Sequence, residues 1–444
     1  MPLGYSQRLL KRVDVATNHI AQGLRLLANP NVSRMFIAYV VSYTGTAMAP
    51  IAMAFGVLEL TGSAADAAFV IAAPTAASIV VLLLGGVIAD RTSRKRIMVF
   101  AEVTAMTAQC TIAWLFISDN ATVPLLTGCM LVNGIAVAFH APAATGLIIQ
   151  LVPRAELQAT NALLGIARNS AVAFGAALAG VLVATVGPGL TLLIDGLSFG
   201  FSAILVSLLR PVAQERTPPQ SVLRDLRLGW QEFSRHTWLW VIVLQFSLIV
   251  AAMEAVFGLL GPAVARDLMG GPTDWGFIAS AHGIGTLLGG LLGMQLRPRH
   301  PMYVASYCVL FFALVPLALA VPLALWFVVL AAFISGITGQ IFGVFWYTTL
   351  QQKVPANMLS RVSAYDHLGS IALAPLGIVL FGLLYESGGH QLTLTVAALV
   401  VIVPTLLVFT VQDVRRMTID YETSAESRES AAKPTDLLPT TTDP

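Results

Sequence analysis

The sequence predicts an all-α membrane protein: twelve transmembrane helices in two six-helix pseudo-repeats, with the N- and C-termini both cytoplasmic. Three observations carry that expectation. Of 444 residues 57% are hydrophobic and only 11% charged, where soluble domains run at roughly 25% charged, and the mean hydropathy is +0.79. Apolar windows of membrane-helix length recur along the whole chain, each supplying the ~20 residues that a hydrocarbon layer of about 30 Å requires. The cations collect on one side of those windows.

Residues 1–33 scatter Arg8, Lys11, Arg12, Asp14 and Arg25 among Leu9, Leu10, Val13, Leu24, Leu26 and Leu27 without an apolar run. A cleavable signal needs such a run, so this pattern predicts an amphipathic N-terminal segment on the cytoplasmic membrane surface. Apolar windows then fall near 34–58, 66–89, 97–117, 123–145, 159–186 and 190–209, and again near 239–263, 274–296, 302–320, 322–347, 360–385 and 391–411. They define an N-terminal six-helix bundle over 34–209 and a C-terminal one over 239–411. Between them, 210–238 holds Arg210, Arg216, Arg224, Arg227 and Arg235 with Pro211, Pro218 and Pro219. Its second part spaces Leu223, Leu226, Trp230 and Phe233 at helical intervals, which predicts a cytoplasmic linker with an interfacial helix over 221–236. Residues 412–444, rich in Thr, Ser, Glu and Pro, cannot bury a core and are expected to form a disordered cytoplasmic tail.

Orientation follows from the cations. Of 25 Lys and Arg, all but Arg168 and Arg266 fall in the termini or the even-numbered loops. Loops such as 118–122 and 186–189 are short and nearly free of cations. Both termini are therefore expected inside, in the plasma (inner) membrane. The densest charge lies in Gly86-Val87-Ile88-Ala89-Asp90-Arg91-Thr92-Ser93-Arg94-Lys95, between an uncharged run over 67–85 and another interrupted only by Glu102. It reads as a tight turn between two spans. Cys110, Cys129 and Cys308 all sit in apolar runs, with no disulfide or metal spacing.

The two halves repeat. Val152-Pro153, Leu157 and Ala162 recur as Val354-Pro355, Leu359 and Ala364, an offset of 202 residues that also carries Gly134 to Gly336, Gln150 to Gln352 and Gly175 to Gly377. An offset of 208 aligns Asp66, Phe69 and Gly85 with Asp274, Phe277 and Gly293, and brings the charged turn onto a worn copy at Pro298-Arg299-His300. Parallel repeats of this kind place a cavity between the halves near the bilayer midplane.

Over residues of roughly 30–412 the chain resembles the major facilitator superfamily. The charged turn fills that family's pattern with Gly86, Asp90, Arg91, Arg94 and Lys95, although Ser93 stands where the second glycine is usual. Two further stretches are similar to the enterobactin-exporter and drug-efflux branch. One runs from Leu151-Val152-Pro153 through Asn161-Ala162 to Gly175-Ala176-Ala177-Leu178-Ala179-Gly180, and resembles the antiporter motif of the fifth helix with Ala176 for its proline and Ala179 for a glycine. The other spans Arg361-Val362-Ser363-Ala364-Tyr365-Asp366-His367-Leu368-Gly369-Ser370 to Pro375-Leu376-Gly377. The resemblance implies the major facilitator fold and a gating role for the charged turn, with Asp90 pairing to basic groups or a helix end. Many relatives carry an acid after the first-span glycine; here Thr46 follows Gly45, so that proton site is absent.

Ionisable groups at lipid depth are costly and are candidates by default. Glu254 lies deep in the seventh span and is the leading proton carrier, or else an acid reaching toward the outer interface. Asp366 and His367, about two turns from the inner surface, suit an inner gate or helix contact first and proton coupling second. Arg168, roughly 13 Å inside the fifth span, stays charged and needs an acid such as Asp195, Asp366 or Glu102, or an anionic substrate. Asp195, His140 and His282 are weaker candidates that form no metal-ligand spacing. Tyr43, Asn133, Gln245, Gln340, Trp346 and Tyr347, with Tyr39 and Phe257, are cavity-wall candidates. Together they suggest an apolar site for small amphipathic molecules rather than sugars. Glycines 285, 289 and 293 predict a close helix contact.

These features predict a secondary transporter using alternating access, proton-coupled and exporting amphipathic drugs or siderophore-like compounds. An uptake permease or uniporter, or a non-transporting membrane sensor, remains open beside it. No catalytic or phosphate-cradling constellation stands in the sequence, so an enzyme is disfavoured and no cofactor or metal is expected. The proton gradient is the expected energy source. The expected partners are the lipid bilayer and a small substrate, with no nucleic acid, and the chain is expected to act as a monomer.

Overall fold

A computed structural model of the protein describes residues 25–91, 93–153, 156–212, 222–321, 323–355 and 358–419, with the side chains of 82–92, 158 and 221–226 outside that description. The helices are α1 (Pro30–Thr61), α2 (Ala64–Arg91), α3 (Arg94–Ile117), α4 (Val123–Leu151), α5 (Leu157–Ser207), the short α6 (Val222–Arg235), and α7 (Thr237–Ala255), which continues through a π-helical turn (Val256–Leu260) into α8 (Gly261–Leu268). There follow α9 (Pro272–Gln295), α10 (Pro301–Leu310), which passes through a 3-10 turn (Phe311–Ala313) into α11 (Leu314–Ala320), then α12 (Leu325–Lys353), α13 (Leu359–Ile371), α14 (Ala374–Val408) and α15 (Gln412–Arg416).

Ten helical stretches among the described residues are long and apolar enough to cross a membrane. The two longest, 49 and 50 residues, would be more than twice the length a ~30 Å layer needs if straight. Each is bent at a glycine in the left-handed region, Gly187 (φ 84°, ψ 168°) and Gly389 (φ 74°, ψ 177°). A side chain there would be strained, which is why glycine stands at both turns. In each case a threonine four residues on, Thr191 or Thr393, donates its hydroxyl to the glycine carbonyl at 2.8 Å. The two turns are separated by the same 202 residues as the sequence repeat.

The repeat also governs packing. Gly134 of α4 lies against the backbone of Pro74 on α2, and its counterpart Gly336 of α12 lies against the backbone of His282 on α9. Gly285 and Gly289 of α9 meet the backbone of Phe333 and Ile337, and Gly293 meets Val344, so the expected glycine contact forms between α9 and α12. Large apolar side chains such as Phe100, Trp114 and Trp326 point outward, as lipid-facing surfaces allow.

Among the described residues three large cores and one small cluster, Ala105 with Ala136 and Phe199, divide the interior. Met35, Met98, Leu147, Leu164 and Val206 form one in the N-terminal half, on the side of the termini. Leu239, Met302, Phe345, Val362 and Val401 form a separate one in the C-terminal half on that same side. At the opposite end a single core joins both halves: Phe55, Ala68, Leu126 and Ala179 pack with Leu259, Trp275, Ala332 and Leu394. The halves are thus fused at the end away from the termini and packed independently at the other.

Two expectations are amended. Helix α6 fits the predicted linker helix, but it docks on protein as well as facing outward. Trp230 and Phe233 stack on each other and pack at a tilt against Tyr365 of α13, at ring separations of 5.6 to 5.9 Å, and Gly229 meets Arg361. The tail begins with a helix rather than disorder, because Val414 of α15 and Ile419 bury themselves in the bundle. Residues 1–24 and 420–444, where most of the amphipathic segment and the tail were expected, lie outside the described residues.

Candidate transport site and gates

Glu254 opens into a cavity of about 390 Å³ in the C-terminal half, lined by α7, α9 and α12 with Phe312. Glu254 lines that space and is exposed. The helix departs from α-geometry two residues later, at the π-helical turn Val256–Leu260, and such turns are frequent at functional sites. Phe257, inside the turn, packs in a tilted arrangement against His282, with 4.6 Å between ring centroids. His282 Nδ1 contacts the Ala332 carbonyl at 3.3 Å; a carbonyl only accepts, so the proton sits on Nδ1 and Nε2 is left as an acceptor. Ser335, whose buried hydroxyl has no hydrogen-bond partner among the described residues, and Gln340 complete the polar lining. A carboxylate, an imidazole, a hydroxyl and an amide therefore share one apolar-walled space.

The other candidates divide between cavity and contact. Arg168 lies close enough to Tyr43 and Tyr39 to act on both electrostatically. Its charge also reaches Tyr347 on the other half, as does that of Asp366. Among the described residues no acid forms a salt bridge with Arg168, because its three expected partners are engaged elsewhere. Asp366 accepts from Trp346 Nε1 at 3.0 Å, and both are buried, so this pair holds α12 to α13. Trp346 is accordingly a packing residue, wedged between Trp238 and Phe342, rather than a cavity wall. Gln245 is likewise not in the wall: it is buried and donates to Thr405 Oγ1 at 2.8 Å, tying α7 to α14. His367 is exposed, Tyr347 is 60% exposed, and Asn133 is half-buried on α4.

The N-terminal half holds two buried polar rungs between α3 and the second arm of α5. Gln109 Nε2 donates to Asp195 Oδ2 at 2.7 Å. Two turns along, Glu102 Oε1 accepts from Ser202 Oγ at 2.8 Å and contacts His140 Nε2 at 3.1 Å. Gly45 sits against Asp195 and Ser198, where no side chain fits.

At the end away from the termini, two charges of the C-terminal half bind two helix ends of the N-terminal half. Arg266 Nη1 donates to the Leu58 carbonyl at 2.6 Å, in the last turn of α1. Glu386 Oε1 accepts from Ser63 Oγ and from the Ala65 amide at 3.0 Å, at the first turn of α2. Each sign complements the helix dipole it meets. Asp267 braces Arg266 at 2.7 Å and accepts from the Tyr385 hydroxyl at 3.2 Å. Sequence reasoning missed Glu386, Asp267 and Tyr385; the one signal was Arg266, alone among cations on that side.

At the other end, the side chains of Gly86, Asp90 and Arg91 lie outside the described residues. The remainder of the charged turn engages helix ends. Arg94 Nη1 donates to the Gly146 carbonyl at 2.7 Å and Lys95 Nζ to the Leu209 carbonyl at 2.8 Å. Arg34 donates to the neighbouring Leu208 carbonyl at 2.9 Å. Three cations therefore sit on the negative C-terminal ends of α4 and α5.

A two-fold repeated helical bundle with ionisable groups at membrane depth defines a multi-pass membrane transporter. The chain belongs to the transmembrane secretion effector family of the major facilitator superfamily, whose model matches residues 22–436. It is 26% identical over 378 residues to the multidrug efflux pump Tap of Mycolicibacterium fortuitum, covering 81% of this chain and 90% of the pump. It is 25% identical over 384 residues to the Tap pump of Mycobacterium tuberculosis, covering 83% and 90%. Among solved structures, the nucleoside transporter NupG superposes with a TM-score of 0.71 at 14% identity, over 85% of this chain and 98% of that one. A D-xylose–proton symporter does so at 0.67 and 13%, over 89% and 100%. These share the fold.

Proposed function

We propose that the protein is a proton-coupled antiporter that exports small amphipathic molecules, drugs or siderophore-like compounds, by alternating access. It works as a monomer of twelve spans in the plasma (inner) membrane, with both termini cytoplasmic. The bends at Gly187 and Gly389 support counting each of the two longest helices as two spans. The halves then divide at the linker, 34–209 from 239–411. The Tap relatives support export. The shared core and the Arg266 and Glu386 contacts support a state closed on the outer side. The observation that carries proton coupling is Glu254 in its apolar cavity beside His282 and Gln340. A carboxylate there alternates at least cost between a protonated and a substrate-neutralised form.

The test is flux in proteoliposomes: accumulation of a lipophilic cationic dye with and without an imposed proton gradient. Glu254→Gln is expected to bring driven accumulation down to the no-gradient level while exchange of dye for dye continues. Accumulation that survives Glu254→Gln, Asp366→Asn and collapse of the gradient would sink the antiport reading and favour a permease or uniporter.

A further inference from the structure

We propose that His282 makes the cavity beside Glu254 selective for ammonium groups that carry N–H bonds. A protonated primary or secondary amine then binds there more tightly than a quaternary ammonium on the same skeleton. This specificity rests on the reading of that cavity as the transport site. Phe257 and Phe312 stand with Val250 and Met253 around a space of about 390 Å³, at the small end of ligand cavities. No lysine or arginine lines it, and among the described residues Glu254 has no ion pair. A cation is the complement of such a space, since aromatic faces attract one as the carboxylate does.

The hydrogen-bonding groups decide which cation. His282 donates from Nδ1 to the Ala332 carbonyl at 3.3 Å, which leaves Nε2 an acceptor with no polar partner among the described residues. Thr286 donates its hydroxyl to the His282 carbonyl at 3.0 Å, so it too has only acceptor capacity left. Glu254, when ionised, only accepts. Against these the lining side chains offer two donors, the buried and unpartnered Ser335 hydroxyl and the Gln340 amide. Acceptors outnumber donors, so a ligand that leaves none of them unpaired must bring donors of its own. A neutral polyol brings donors but leaves the charge of Glu254 unanswered. A quaternary ammonium answers the charge but leaves Nε2 and the carboxylate desolvated without hydrogen bonds. An ammonium with two or three N–H groups does both.

Neighbours hold His282 in that role. Phe257, in the π-helical turn, packs against the imidazole at 4.6 Å between centroids. The Ala332 carbonyl fixes the tautomer, and the His282 carbonyl lies against Gly336 of α12. Ring, proton and backbone are thus all set from outside the residue, as a discriminating group requires. A site built to hydrogen-bond a group rejects the analogue lacking it more strongly than an apolar pocket rejects a change of size. A metal cation is a poorer fit, because among the described residues no three His, Cys, Asp or Glu side chains converge.

The test is equilibrium binding to the purified full chain, at neutral pH and without a gradient. The probes are naphthylethylamine, its N-methyl derivative and its N,N,N-trimethyl derivative, all cations at that pH. The trimethyl compound is expected to bind about tenfold more weakly than the primary amine. His282→Phe keeps a ring against Phe257 and removes both nitrogens; there the two affinities are expected to converge, through weaker binding of the amines alone. His282→Asn keeps a donor for the Ala332 carbonyl and withdraws the acceptor at the Nε2 position. The same convergence is expected of it, which keeps the test open should the phenylalanine variant not fold. A preference for the amine that persists in the folded variant is steric and overturns the proposal. Equal binding of all three probes by the unmodified chain, or binding of none, overturns it as well. If the His282-dependent preference holds while flux ignores the proton gradient, this specificity stands and the coupled-transport reading falls. Gradient-driven flux without the preference removes the specificity alone.

Discussion

Replacing Arg266 by alanine together with Glu386 by glutamine is expected to shift the protein toward the state open at the end away from its termini, by roughly thirtyfold in the ratio of states. Arg266 is part-buried and meets the C-terminal turn of α1 through the Leu58 carbonyl; Glu386 is exposed and meets the N-terminal turn of α2 through Ser63 and Ala65. A charge complementing a helix end contributes ~0.3–1 kcal/mol at the surface and up to about 2 kcal/mol when part-buried. The exposed Glu386 deserves the lower value, because solvent screens it. Together the two contribute about 2 kcal/mol to one state only. Electron–electron distance measurements between spin labels at Leu60 and Ser387 should show a longer population in the double variant. A pair at Ser207 and Lys353, at the other end, should show a shorter one. Distances unchanged at both ends would refute a latch.

The latch has a counterpart at the terminus side in the charged turn, and the two use the same physics. Arg94, Lys95 and Arg34 sit on the C-terminal ends of α4 and α5, but all of these contacts lie within the N-terminal half. At the far end the contacts of Arg266 and Glu386 cross between halves. Where the cores are separate the charges brace one half; where the core is shared they tie two together. Under the alternating-access mechanism proposed above, this asymmetry belongs to one state of the cycle. On the same proposal, the other state would form its cross-half ties on the terminus side.

Legibility in the sequence followed the range of the interaction. The all-helical, membrane-spanning character, the glycine contact of α9 with α12 and the repeat offset were readable, because helix periodicity and a constant shift are local or self-referential signals. The Gly187 and Gly389 turns fall between the windows that sequence alone had separated. Roles of single polar residues were not readable. Gln245 sits in a span that is apolar all round, so no polar face marks which side meets a cavity, and it turned toward Thr405, 160 residues on. Glu102 finds Ser202 across 100 residues and Glu386 finds Ser63 across 323. Those meetings depend on how helices cross, which composition does not encode. The same holds for Arg168, whose three candidate acids were each within plausible reach until packing assigned them to Trp346, Gln109 and Ser202.

Gly336→Val is expected to abolish recovery of folded protein, whereas Gly343→Val on the same helix should be tolerated. A Cβ at Gly336 would run into the His282 carbonyl and the Thr286 amide, and neither can swing aside as a side chain would. At Gly343 nothing lies within 4 Å of the added atom. Inserting bulk into a packed core costs about 1–3 kcal/mol and occasionally more. Against backbone the helices must separate, and α9 would then lose its contacts at Gly285 and Gly289 as well, where it meets the backbone of α12. The cost should therefore reach about 3 kcal/mol or beyond, a large share of a domain's stability. The repeat makes this a paired prediction, since Gly134 meets Pro74 as Gly336 meets His282, and Gly134→Val should fail in the same way. Monodisperse yield after detergent extraction, with a thermal melt of whatever is recovered, measures both. The outcome bears on function as well as folding: Gly336 and Ser335 form the back wall of the Glu254 cavity. The close approach of α9 to α12 is what brings His282 to the same space as Glu254. Good yield of Gly336→Val with an unshifted melt would mean that α9 and α12 are not held this closely and that the cavity is not shaped by their contact.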